Sequence, residues 1–181
     1  MMAGAMNLTQ PKNWTRWQAH LIALAGLSAF ILALFHRDAA DMAGIWWHSS
    51  TFTHCLLMVP MIGWLVSQRT ALLRPLTPVF WWPALVWMAG AGLVWLVGEA
   101  AGVGLFRQLG LVLMLQGAVA AMLGEKLVRG LLFPLAYALL LVPFGEELVP
   151  LLQTLTAHIS IALLHLVGLE AQMEGVFITT R

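Results

Sequence analysis

Five long apolar stretches, separated by short turns that carry most of the charge, limit this chain to one kind of fold. They run at about 20–35, 52–66, 79–97, 104–123 and 130–144. Crossing hydrocarbon takes roughly 20 mostly apolar helical residues, and these stretches meet or approach that length. Of the 181 residues, 61% are hydrophobic and 9% charged, whereas a soluble domain carries about 25% charged residues. The expected fold is all-α, a polytopic transmembrane helix bundle of about five spans. It forms a single domain over residues 1–181, with residues 1–18 as a cytoplasmic leader. The lipid bilayer is its first partner.

Orientation follows from the basic residues of the short loops, because Lys and Arg accumulate on the cytoplasmic side. With the N-terminus inside, the inner segments hold Lys12, Arg16, Arg69, Arg74, Lys126 and Arg129 beside Glu125. The outer segments then hold Arg37 and Arg107 against Asp38, Asp41, Glu99, Glu146 and Glu147. Six basic residues against two put the N-terminus in the cytoplasm. No cleavage site of small residues follows the leader, so the first span reads as an anchor and not as a removable signal. Trp14 and Trp17, Trp46 and Trp47, and Trp81 and Trp82 flank the first three spans and read as headgroup anchors. Arg107 is placed to snorkel to the outer surface. Gly90, Gly92, Gly98, Gly102 and Gly104 are expected to admit close helix approach.

The stretch from Phe133 to Thr156 is where this pattern changes. An apolar run ends at Pro143, Phe144 and Gly145, Glu146 and Glu147 follow at once, and Pro150 opens a second apolar segment. Hydrocarbon does not accept two unpaired carboxylates, so the turn sits at a membrane surface or in a polar cavity. Adjacent residues do not share a face, which argues against an acid/base pair. Either the two glutamates are a solvated helix start favoured by the helix dipole, or one pairs with a base across the outer face, with Arg107 the nearest in kind. Glu99 reads the same way. After Pro150, Thr154, His158 and His165 fall near one face, as in an amphipathic helix at the outer face or a sixth membrane helix. Residues 175–180 are β-prone, a strand without a visible partner.

Candidate chemistry clusters at 47–55, where two imidazoles, hydroxyls and the sole cysteine approach the outer surface. A His54–Cys55 neighbour pair suggests an activated thiol, but adjacent helical residues point about 100° apart. A buried, inert Cys55 is the plainer reading. His48 and His54, six residues apart across a loop-to-helix junction, match no standard zinc spacing, so no metal and no cofactor is expected. His54 facing the bundle interior near a substrate groove is the better functional reading. No phosphate loop, nucleophile elbow, HExxH or CxxC is present. Scattered basic residues exclude nucleic acid as a partner. A transporter reading lacks ionisable groups in the spans, where Gln116 is the main polar residue.

Several segments together resemble a known family. Ser50-Thr51-Phe52-Thr53-His54-Cys55-Leu56-Leu57-Met58-Val59-Pro60 is similar to the exosortase signature at the entry to the second span. Gly98-Glu99-Ala100-Ala101-Gly102-Val103 matches the third-span exit loosely. Phe133-Pro134-Leu135, with Val142-Pro143-Phe144-Gly145-Glu146-Glu147-Leu148, resembles the exosortase A type, and Glu174-Gly175-Val176-Phe177-Ile178-Thr179 looks like the run-in to its active-site region. The resemblance implies a cysteine transpeptidase of the bacterial inner membrane, acting at the periplasmic face. Its substrates would be exported proteins with a C-terminal PEP-CTERM signal, and its setting exopolysaccharide export. The family's nucleophile lies in a Cys-(Ser/Ala)-Gly-x-Arg type motif, expected downstream of Arg181. No catalytic residue is therefore assigned, and residues 1–181 are expected to be inactive alone. His48, His54, Glu99, Glu146 and Glu147 are the substrate-face candidates. A non-catalytic membrane binding or assembly protein is the alternative.

Overall fold

The computed structural model describes residues 11–145, 149–166, 171–174 and 177–180. Its helices are α1 (Pro11–Leu34), α2 (His36–His48), α3 (His54–Leu73), α4 (Pro83–Ala101), α5 (Gly104–Leu123), α6 (Glu125–Gly130), α7 (Leu132–Ala138) and α8 (Val149–Leu166). A 3-10 turn, Leu139–Leu141, prolongs α7. The chain divides into two compact units at 143/144, where the residue pattern alone suggests no linker. The first holds α1–α7 and the second holds α8 with a hairpin.

Among the described residues, four helices are long and apolar enough to cross a membrane: Arg16–Leu34 of α1, then α3, α4 and α5. The expected fifth span, 130–144, is instead interrupted: α6 ends at Gly130, and only α7 and the 3-10 turn follow. The cause is local. Pro134 falls in the first turn of α7, where its missing N–H costs nothing, but its ring would clash with the carbonyl of Gly130 in a continuous helix. A helix also replaces the expected outer loop before α3. This is α2, whose buried residues Asp38 and Met42 lie four apart on one face. In the second unit, Ala171–Glu174 (β1) pairs antiparallel with Phe177–Thr180 (β2), Ala171 opposite Thr180 and Glu174 opposite Phe177. The β-prone tail therefore has its partner, in a segment with no β-branched residue to announce it.

α5 is the centre of the first unit. Half of its span is buried, against 6% for α1 and α3 and 17% for α4. Leu111, Met114 and Ala118 pack with Ile31 of α1 and Ala91 of α4, while Val112 joins Met42 and Val142. The three outer helices leave Leu, Val, Phe and Trp side chains exposed, which in this composition is a lipid-facing surface.

Helix approach relies on glycines other than most of those expected. A Cβ on Gly110 would lie 2.7 Å from the Cβ of Trp95, and one on Gly117 would lie 2.4 Å from Cγ of Met88. Gly98 is similarly tight against Phe106 and Arg107, but Gly90 and Gly92 have nothing within 4 Å. Gly117 also leaves the carbonyl of Leu113 uncovered, and Trp87 Nε1 donates to it at 3.1 Å. Gly102 serves conformation instead: with φ 68° it caps α4 and reverses the chain into α5.

The far end of α5 shows how a membrane helix terminates without orphaned carbonyls. Trp81 N donates to Ala121 O at 2.9 Å and Val79 N to Leu123 O at 3.3 Å. His20 Nδ1 lies 2.6 Å from Met122 O. Trp17 Nε1 adds a bond to Leu76 O at 3.1 Å, so this tryptophan is a staple between elements more than a headgroup anchor.

Because Gly110 and Gly117 sit where α4 touches α5, Gly110→Leu and Gly117→Leu should each cost ~1–3 kcal/mol by overpacking. Gly90→Ala and Gly92→Ala should stay within ~0.5 kcal/mol. Unfolding by steric trapping in bicelles measures both.

Candidate site at the start of α5

At the start of α5 the structure assembles charge from three helices. Arg107 Nη1 donates to Glu99 Oε2 at 2.9 Å, its Nε lies 3.3 Å from Asp38 Oδ1, and its Nη2 lies 3.9 Å from Asp41 Oδ2. Asp38 is only 4% exposed. Its second oxygen accepts a 2.8 Å bond from Trp95 Nε1. Phe35 packs edge-on to the same indole, ring centroids 4.8 Å apart. The buried carboxylate is thus charge-paired and hydrogen-bonded, the condition under which an ion persists away from water. The Nε–Asp38 contact is close but not aligned as a hydrogen bond.

Arg107 therefore does more than snorkel: it ties the start of α2 to the α4–α5 hairpin. Glu99, read from sequence as either a solvated carboxylate or a partner for a base such as Arg107, is exposed and takes the second arrangement. Asp38 and Trp95 were not legible as a site. The available signal was one acidic residue four positions before Met42 in an otherwise apolar helical face. Glu146 and Glu147 lie outside the described residues.

The 47–55 cluster is arranged differently from the expectation. His54 is exposed and does not face the bundle interior, its Nδ1 lying 2.9 Å from Thr51 O. His48 is also exposed, with Nδ1 2.9 Å from Gly44 O. Cys55 is fully buried. His54 Nε2 nevertheless comes within 3.8 Å of its Sγ, although the two residues are adjacent. At the first residue of α3 the imidazole folds back along the turn, so the 100° offset does not separate them. The thiol also faces Leu140 O at 3.7 Å. Trp46, read from sequence as an anchor, donates Nε1 to Leu141 O at 2.9 Å, while Trp47 is exposed. Among the described residues no three His, Cys, Asp or Glu side chains come together as a metal site.

The two ends of α5 thus differ in charge. The acidic cluster around Arg107 marks one end, and Glu125, Lys126 and Arg129 follow the other, with Arg129 paired to Glu125. Asp38→Ala should lower stability by ~2–4 kcal/mol, toward the low side of the range for breaking a buried pair, since Arg107 keeps partial access to water. Asp41→Ala, exposed and 3.9 Å away, should change it by less than ~1 kcal/mol. Thermal unfolding in detergent compares the two.

No curated protein and no solved structure matches the chain. The family model described as transmembrane exosortase matches residues 46–181, from the end of α2 through the hairpin. That match takes in most of the chain, including α3, the α4–α5 hairpin and the broken fifth segment, and by it the protein belongs to the transmembrane exosortase family.

Proposed function

We propose that these residues form the membrane scaffold of an exosortase that processes exported proteins bearing a PEP-CTERM tail at the outer face of the bacterial inner membrane. The observation that carries this reading is the family match over residues 46–181. The basic residues support the orientation: the end of α5 that leads to Lys126 and Arg129 faces the cytoplasm, and the end at Arg107 faces the periplasm. A substrate anchored by its own helix would then meet the enzyme at the periplasmic end of α5.

In this reading the covalent step is thiolate attack on a peptide carbonyl, with release of the amine and transfer of the acyl group to an acceptor. Cys55 does not perform it. Its sulfur is inaccessible and faces a backbone carbonyl, whereas a nucleophile must reach the substrate. The link to exopolysaccharide export belongs to the same proposal. The buried thiol equally favours a second reading, in which the outer face recruits a membrane partner without chemistry.

Deleting the gene from its source cell separates the two. A PEP-CTERM-tagged reporter should then accumulate unprocessed, and processing should return equally with the wild-type gene and with Cys55→Ser. Unchanged processing in the deletion strain would contradict the sorting function. Restoration by wild type but not by Cys55→Ser would contradict the structural role of the thiol.

A further inference from the structure

The fifth apolar segment stops short, and its terminal carbonyls are satisfied from other helices. α7 supplies seven residues and the 3-10 turn three. At 1.5–2.0 Å per residue they climb about 15–17 Å, roughly half of the ~30 Å hydrocarbon core. The segment begins where Leu131 packs with Leu123 and Leu127 at the C-terminal end of α5. It ends where Val142 packs with Met42 and Val112. Val142 is extended, with ψ 126°, so the helix does not continue.

Leu141 O accepts from Trp46 Nε1 at 2.9 Å, and Leu140 O faces the Cys55 thiol at 3.7 Å. Lower in the segment, Gln116 Nε2 donates to Leu135 O at 2.8 Å. The three donors come from α2, α3 and α5. Irregular backbone at membrane depth persists only where protein or a water-filled cavity satisfies it, and here the protein does so.

We infer that Trp46, Cys55 and Gln116 are positioning residues: they hold the fifth segment as a half-span and set the depth at which the chain leaves the first unit at Val142–Pro143. This rests on the geometry alone. Under the proposed function, the segment so placed opens the Val142-Pro143-Phe144-Gly145 block that resembles the family's own.

Depth is measured directly on the full chain in bilayers. In a Cys55→Ser background, which keeps a donor, a fluorophore is attached at Phe144→Cys or, in a parallel protein, at Ala100→Cys in the exposed last turn of α4. Quenchers are carried on lipid headgroups or at mid-chain. The probe at 144 should be quenched more by the mid-chain label and the probe at 100 more by the headgroup label. Trp46→Phe, Gln116→Leu, or Ala in place of Ser at 55 should each shift the probe at 144 by about one helical turn, ~5 Å, leaving the probe at 100 in place. A probe at 144 as shallow as that at 100, indifference to all three substitutions, or equal displacement of both probes would overturn the inference. No substrate enters the assay, so its failure is separable from failure of reporter processing.

Discussion

The close contact of α5 with α4 is the constraint on which the rest of the first unit depends. Gly110 and Gly117 bring the two helices to backbone distance, and α1, α2 and the 3-10 turn then pack around α5. Lipid tails are as apolar as leucine, so exclusion from water contributes little to this association. Close van der Waals packing and hydrogen bonds between helices must supply it. The indoles serve the same end. Trp17, Trp46, Trp87 and Trp95 each donate to an acceptor on another element, which exchanges a wet anchor for a dry staple.

At the two ends of α5 the same problem has two solutions. Where the chain leaves hydrocarbon at the C-terminal end, backbone donors and His20 take up the last carbonyls. At the N-terminal end, side-chain charge joins the elements, with Asp38 buried between Arg107 and Trp95. The second solution is costly unless every lone pair is engaged. It also fixes α2 across the N-terminal end of α5, so that Trp46 and the start of α3 meet the broken fifth segment. The surface so formed carries His48 and His54 in the open and Cys55 beneath.

Much of this could be read from the residues. Apolar length and the few charges establish a polytopic helical bundle, and α5 runs from Gly104 to Leu123 as its apolar run does. The acidic and basic ends separate as the loop charges indicate. What escaped reading depends on tertiary partners. Gly90 and Gly110 look alike in sequence, and only the azimuth of each on its helix decides which touches a neighbour. Asp38 resembles any loop carboxylate until α2 turns it toward Arg107. The run over 130–144 has the composition of a span, but Pro134 after Gly130 divides it, a local signal outweighed by hydropathy. His54 and Cys55 meet because the helix begins there, a boundary that periodicity does not place to the residue.

In the proposed orientation, α5 runs from an acidic periplasmic end to a basic cytoplasmic end. Single cysteines introduced as Ala100→Cys and Lys126→Cys in a Cys55→Ser background test it most directly, with a membrane-impermeant maleimide applied to intact spheroplasts. The account predicts labelling of position 100 without lysis and of position 126 only after lysis. The reverse pattern, or labelling of both positions on intact spheroplasts, would contradict it.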